Sequence, residues 1–109
     1  MKKLLSILFL LIFSSSALAD RAWYRGTINR IWTLGSDGSF IITLKETSVL
    51  SDCKWNYAYF TLTEQTPEKL RNSLTLALSG FHAGTTVGLE IDKDLHGELC
   101  QAYSIDLIK

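Results

Sequence analysis

The 109-residue sequence is poor in proline and cysteine, with the single proline Pro67 and the two cysteines Cys53 and Cys100. It has no internal repeat and no low-complexity tract, so neither a repeat architecture nor a flexible linker is expected. A charge excess is also lacking, because 11 basic residues balance 11 acidic residues. No segment after residue 19 is apolar for long enough to span a membrane, so no membrane span is predicted in the mature chain.

One long apolar run does occur, at the N-terminus. Lys2 and Lys3 precede the run from Leu4 to Phe13, and Ala17-Leu18-Ala19 supplies an A-x-A cleavage site. This order is typical of a secretory signal peptide, and the run is about half the ~20 residues that a retained membrane anchor would need. We therefore predict that residues 1–19 are removed, that residues 20–109 form one small domain, and that the protein is exported through the inner membrane to the periplasm or beyond.

Cleavage changes the charge of the domain. Without Lys2 and Lys3 the mature chain has 9 basic and 11 acidic residues, a net charge of −2. Nucleic-acid binding calls for a basic excess on one face, so a nucleic-acid partner is not expected.

The two cysteines allow only one intramolecular pairing. In an oxidising compartment an even cysteine count in so small a domain predicts a disulfide, here Cys53–Cys100, that closes a loop worth about 4 kcal/mol on the chain-entropy model. The alternative is a reactive or metal-bound pair, which the sequence disfavours because it has no closely spaced second cysteine.

Hydrophobic periodicity divides the mature chain into five strands and one helix. Phe40, Ile42 and Leu44 alternate with a second face made of Ser39, Thr43 and Lys45 together with Ile41. The turn sequence Gly35-Ser36-Asp37-Gly38 joins this strand to the one before it. Gly26 suggests a bulge or bend in the first strand. The predicted strands are Ala22 to Leu34, Ser39 to Lys45, Trp55 to Thr63, a run containing Val87, Leu89 and Ile91, and Cys100 to Ile108.

The helix is predicted between the third and fourth strands. Thr66 is placed as its N-cap, Pro67 as its first residue and Gly84 as its left-handed end. Its apolar face is predicted from residues at helical spacing, namely Leu70, Leu74, Ala77, Leu78 and Phe81.

The element order is therefore β-β-β-α-β-β. This order is typical of a small five-stranded Greek-key barrel of the oligonucleotide/oligosaccharide-binding (OB) type, which is all-β with one helix. An open antiparallel sheet packed by one helix is the alternative.

The third strand carries the candidate ligand-binding residues. If Ala58, Phe60 and Leu62 face the core, the opposite face presents Trp55, Tyr57 and Tyr59, which predicts a stacking platform for a sugar ring, a nucleobase or a protein partner. The charge of the mature chain makes the nucleobase the least favoured of these ligands. Packing within the molecule, or burial in an interface between copies of the chain, are the alternatives for these three rings.

No motif for catalysis, cofactor binding or metal binding is present in the sequence. Ser79 and His82 occur without a G-x-S-x-G turn or zinc-type histidine spacing, and no glycine-rich loop precedes a helix. The segment 92–97 shares two carboxylates and a glycine with a calcium loop, but Tyr103 stands where that loop needs a glutamate. We expect a charged turn there, and a protein that is not an enzyme, with no cofactor and no metal site.

The stretch from Leu70 to Ile91, with a cysteine before the third strand and another at the last strand, resembles small secreted proteobacterial proteins. It is more distantly similar to the receptor-binding B subunits of pertussis-like and subtilase-type AB5 toxins. The resemblance implies exported, disulfide-containing barrels that assemble into rings and bind host glycans. No glycan-contacting residue of that family can be matched to a position in this chain.

The sequence therefore favours an exported, non-enzymatic binding module, with self-assembly left open, that recognises a glycan or a protein through exposed aromatic residues. One alternative is a structural or accessory periplasmic protein whose aromatic face is buried in a permanent partner. A small hydrolase or metal-dependent protein is the least favoured class.

Overall fold

The computed structural model describes residues 21–94 and 97–109. The predicted signal peptide, and Leu95 and His96 of the charged turn, lie outside these described residues. Within them, no helix has the length and apolar character needed to cross a membrane.

Five strands and one helix follow the predicted order β-β-β-α-β-β. Where bounds were predicted, the observed ones lie within one residue of them, except in the third strand, which is much shorter. The elements are β1 (Arg21–Leu34), β2 (Ser39–Leu44), β3 (Ala58–Phe60), α1 (Pro67–Ala83), β4 (Thr86–Asp92) and β5 (Cys100–Ile108).

The strands form a closed ring of hydrogen-bonded neighbours in the order β1-β2-β3-β5-β4, with β4 pairing back onto β1. All pairs are antiparallel except β3 with β5, which are parallel. An open antiparallel sheet does not describe this arrangement, because each strand has two neighbours and one pair is parallel.

The long strand β1 closes the ring because it pairs with β4 through its first half and with β2 through its second half. The register shifts between Ile28 and Arg30, so the irregularity lies just after the predicted position, Gly26. At this corner the Glu46 carboxylate accepts hydrogen bonds from the Thr27 backbone N–H (2.7 Å) and hydroxyl (2.8 Å). Gly26 leaves room for that carboxylate, since a Cβ there would lie 2.5 Å from Glu46 Oε1.

The core lies inside the ring and is built from alternate residues of each strand. Phe40 of β2 and Phe60 of β3 stack with ring centroids 4.6 Å apart, as their register pairing requires. The predicted inward set of β2 is confirmed, because Phe40, Ile42 and Leu44 all belong to the buried cluster.

The ends of α1 are as predicted. The Thr66 hydroxyl accepts a hydrogen bond from the Lys69 N–H at 3.2 Å, Pro67 is the first helical residue, and Gly84 ends the helix at φ 66°. Each of the three residues satisfies a local requirement of a helix end, which is why short-range sequence signals located them.

The buried face of α1 is partly wrong in the sequence prediction. Leu70 and Ala77 are buried as expected, but Leu78 and Phe81 are each 42% exposed. The residues that face the ring instead include the small Ser73 and Gly80. A Cβ on Gly80 would lie 2.8 Å from side-chain atoms of both Val87 and Leu107, so the close approach of helix and strands selects small residues on this side.

A buried polar chain links the helix to β5. The Ser73 hydroxyl donates to Gln65 Oε1 at 3.1 Å, and Gln65 Nε2 donates to the Ala102 carbonyl oxygen at 3.0 Å. These bonds compensate for the burial of two polar side chains under the helix.

The predicted disulfide between Cys53 and Cys100 is present, and neither cysteine is free. Cys100 is the register neighbour of Ala58 in the parallel pair β3–β5, which has only two such register pairs. The disulfide therefore reinforces the strand pair that has the fewest register pairs in the ring. A structural disulfide in a small domain indicates an extracytoplasmic location.

Candidate functional site

The segment predicted as a third strand, Trp55 to Thr63, is a strand only at Ala58–Phe60. Before it, Lys54–Asn56 form a 3-10 turn in which Trp55 (φ 58°) and Asn56 (φ 60°) are left-handed. A strand cannot continue through two left-handed residues, so Trp55 is not part of the predicted alternation.

The strand also ends earlier than predicted. The Thr61 carbonyl oxygen accepts hydrogen bonds from the backbone N–H groups of Glu64 and Gln65, at 3.3 and 3.1 Å, and so the chain turns. Leu62, which the alternation places in the core, is 44% exposed in this turn.

The structure nevertheless brings the three predicted aromatic residues together and adds a fourth. We call Trp32, Trp55, Tyr57 and Tyr59 the aromatic cluster. Ring centroids lie 4.9 Å apart for Trp32 and Tyr57, 5.6 Å for Trp55 and Tyr57, and 6.1 Å for Tyr57 and Tyr59. Such spacings are those of mutually stabilising aromatic pairs.

Trp32 was not among the predicted site residues, although the hairpin register contains the signal for it. Leu34 pairs with Ser39 across the turn, so Trp32 pairs with Ile41, and Ile41 in turn pairs with Tyr59. Residues paired in this way point to the same face. Side chains alternate along β2, so Phe40 points inside the ring and Ile41 points to the outer face together with Trp32 and Tyr59.

Part of the aromatic cluster has a structural role. Ile41 is only 2% exposed, yet it lies outside the buried core cluster. Its two register neighbours on the outer face are Trp32 and Tyr59, both half-buried. Packing within the molecule, one of the predicted alternatives, therefore applies in part to these two rings.

Trp55 differs from the other three rings because it is 63% exposed. Its turn is restrained on several sides. The Cys53–Cys100 disulfide precedes it, the Lys54 N–H donates to the Glu98 carbonyl oxygen at 2.8 Å, and Asn56 Nδ2 donates to the Thr47 carbonyl oxygen at 3.0 Å. A bulky residue in the left-handed region carries backbone strain that such surroundings must offset.

Two cations lie against the aromatic cluster. The Arg30 guanidinium carbon is 4.0 Å from the Trp32 ring centroid, and Lys54 Nζ is 4.5 Å from that of Trp55. Cation–π contacts of this kind hold long side chains across indole faces. The aromatic cluster is therefore contacted by positive charge at two of its rings, Trp32 and Trp55.

The Tyr59 hydroxyl remains protonated at neutral pH. Burial raises its pKa above the ordinary value, and the neighbouring Tyr57 raises it further. A protonated phenol can both donate and accept a hydrogen bond. The aromatic cluster thus combines ring faces with polar edges.

A pocket of about 430 Å³ opens where the β1–β2 turn meets the end of β3 and the start of β5. We call it the turn pocket. It is lined by Leu34, Gly35, Ser36, Asp37, Ser39, Thr61, Thr63 and Gln101.

Asp37 is the charged group of the turn pocket. The Ser39 hydroxyl, and then the Ser39 backbone N–H that donates to Asp37 Oδ1 at 3.0 Å, hold the pKa of this carboxyl below its usual value. Asp37 is therefore ionised at neutral pH.

Among the described residues, no cluster of three or more His, Cys, Asp or Glu side chains is arranged to hold a metal ion. Asp92 Oδ1 accepts from the Asp94 backbone N–H at 3.1 Å in the charged turn. His82 lies beside Phe81 on the exposed side of α1, with ring centroids 5.9 Å apart.

No family model matches the chain, and no curated protein or solved structure is significantly similar to it.

Proposed function

We propose that the mature domain is an exported, non-enzymatic binding module of the OB type that recognises a glycan or a protein partner through the aromatic cluster. The observation that carries this proposal is the presentation of Trp55, which is 63% exposed on a turn held by a disulfide and two hydrogen bonds. A restrained turn reduces the entropy lost when a ligand orders the ring, and so favours binding.

The ring order supports the OB assignment. Strands in the order β1-β2-β3-β5-β4, with the helix between β3 and β4, are the arrangement expected of a five-stranded Greek-key barrel. Folds of this type bind ligands over the face of their second and third strands and adjoining loops. Here Tyr59 lies on β3, Trp55 and Tyr57 directly precede β3, and Trp32 lies on β1 beside β2.

Export is part of the proposal. The N-terminal sequence supports a cleaved signal peptide, and the Cys53–Cys100 disulfide supports an oxidising destination, either the periplasm or the outside of the cell.

A permanent protein partner, or a ring of identical subunits as in the AB5 toxin B subunits, is the second candidate. It is favoured by a different surface, the outer side of α1, where Leu78 and Phe81 are each 42% exposed. Exposed apolar residues grouped on one helix face are more frequent at interfaces than on isolated monomers.

Loss of binding at Trp55 tests the first candidate. The mature, oxidised protein is screened against a printed glycan array and a displayed random-peptide library, with Trp55→Ala and Tyr57→Ala as variants. Trp23→Ala is the matched control, because Trp23 is an exposed tryptophan outside the aromatic cluster. We expect the binding signals to disappear in the first two variants and to persist in the control.

The stability of these variants decides the interpretation. Truncation of Trp55 removes one ring pair and one exposed cation–π contact, so it should lower the free energy of unfolding by no more than about 2 kcal/mol. Binding that survives in Trp55→Ala contradicts the proposal, and so does a Trp55→Ala variant that no longer folds. Light scattering tests the second candidate: an oligomer that dissociates in Phe81→Ser supports it, and a monomer rejects it.

A further inference from the structure

We infer that the turn pocket is a subsite for one uncharged sugar residue of a glycan whose neighbouring residues stack on the aromatic cluster. This inference rests on the proposed function and makes it more specific, since it names a neutral oligosaccharide as the ligand.

The first argument is that the turn pocket and the aromatic cluster are continuous. Leu34 follows Trp32 by two residues on β1, and Ser39 precedes Ile41 by two residues on β2, so each pair lies on one face. Two residues along a strand span roughly 7 Å. The turn pocket therefore lies two residues further along the same outer face than Trp32 and Ile41.

Gln101 of β5 connects the turn pocket to the aromatic cluster. It lines the turn pocket and is the register neighbour of Tyr59 across the β3–β5 seam. Its Oε1 accepts a hydrogen bond from the Thr61 hydroxyl at 2.7 Å, and Thr61 also lines the pocket. A ligand that leaves the pocket past Gln101 therefore meets the Tyr59 ring directly.

The second argument is the chemistry of the pocket wall. Its polar side chains are four hydroxyls, one amide and the Asp37 carboxylate, and none of its lining residues is basic. Vicinal hydroxyls of a sugar can donate to an ionised carboxylate and exchange hydrogen bonds with hydroxyl and amide groups. Within the pocket, a phosphate, sulfate or uronate would be repelled by Asp37, because no lining residue supplies a compensating cation.

The strand ring also disfavours an extended peptide as the ligand. Peptides that add a strand to a sheet need a free strand edge, whereas each described strand of this ring already has two neighbours. Recognition through a face and a pocket, as sugars require, does not need such an edge.

The test uses the mature, oxidised protein and neutral tetrasaccharides as probes: cellotetraose, maltotetraose, mannotetraose and chitotetraose. Tetragalacturonate is the anionic probe. Binding is measured by isothermal titration calorimetry and by tryptophan fluorescence. We expect at least one neutral tetrasaccharide to bind, its monosaccharide to bind far more weakly, and tetragalacturonate not to bind.

Asp37→Asn is the informative variant, because it keeps the shape of a side chain in the pocket wall and removes its charge. Loss of a hydrogen bond from a ligand hydroxyl to this carboxylate corresponds to a loss of roughly tenfold or more in affinity. Asp94→Asn is the matched control, since Asp94 is an exposed carboxylate that does not line the pocket. Its affinity should equal that of the wild type.

The outcomes separate this inference from the proposed function. Neutral binding that Trp55→Ala abolishes, but that Asp37→Asn does not weaken, overturns the pocket and leaves the binding module intact. Binding of tetragalacturonate alone, or of no tetrasaccharide when the array or peptide screen still gives Trp55-dependent binding, overturns the inference in the same way. Neutral binding that survives in Trp55→Ala overturns the proposed function itself.

Discussion

Removal of the disulfide by the double substitution Cys53→Ala and Cys100→Ala tests how far this small ring depends on one covalent link. The two cysteines are separated by 47 residues, and the loop they close is worth about 4 kcal/mol of unfolded-state entropy. A domain of this size has a total stability of roughly 5–13 kcal/mol. The variant should therefore lose at least a third, and at most the greater part, of the free energy of unfolding. Its melting temperature should fall by roughly 15–30 °C.

The assay is guanidinium unfolding of the mature protein, followed by tryptophan fluorescence, with wild-type protein reduced by a phosphine as the control. The reduced control and the variant should give the same midpoint. Hydrogen exchange supplies a local readout. Once the disulfide is removed, the backbone amides of the β3–β5 strand pair, at Ala58 and Tyr59, should exchange fastest. A loss below about 1 kcal/mol, or exchange that rises equally in every strand, would refute the reasoning.

Two further predictions concern the corner of the ring and the helix. Hydrogen bonds from the Thr27 N–H, and then from its hydroxyl, hold the pKa of Glu46 below its ordinary value, so the carboxylate stabilises the fold above roughly pH 4.3 and the effect disappears as pH falls through the lowered pKa. Glu46→Gln should unfold at lower denaturant than wild type at pH 7, with a gap that closes towards pH 3; a constant gap would contradict this assignment. Gly80→Ala improves helix propensity by about 1 kcal/mol but forces a Cβ against Val87, at a cost of about 1–3 kcal/mol. It should therefore not stabilise the protein in thermal unfolding, whereas the exposed control Ser79→Ala should stabilise it slightly, and a clear gain at Gly80 would show that the helix can move away.

The sequence by itself located the features that depend on near neighbours in the chain. The alternation of Phe40, Ile42 and Leu44 identified the inward face of β2, because successive side chains of a strand point to opposite faces. Thr66, Pro67 and Gly84 marked the helix ends, because caps act within one turn. The disulfide followed from a count of two cysteines.

Tertiary structure decided the features that depend on contacts between distant segments. Period-two spacing predicted that Trp55 and Leu62 are strand residues. The hydrogen bonds from Lys54 to Glu98 and from Asn56 to Thr47 hold a turn before the strand, and a second turn begins at Thr61. Only three residues between the two turns form a strand. Helical spacing gave an apolar stripe on α1, but close approach to β4 and β5 decided that the buried side carries small residues.

In the candidate site, too, some residues were located from the sequence and others only from the tertiary structure. Tyr57 and Tyr59 were found by spacing along one strand, whereas Trp32 joins them through the register of a neighbouring strand. The turn pocket combines residues more than 60 positions apart, from Leu34 to Gln101, and no local pattern marks it. Periodicity in one segment specifies which way a side chain points relative to its neighbours in the chain. Only the closed ring specifies which distant side chain it meets.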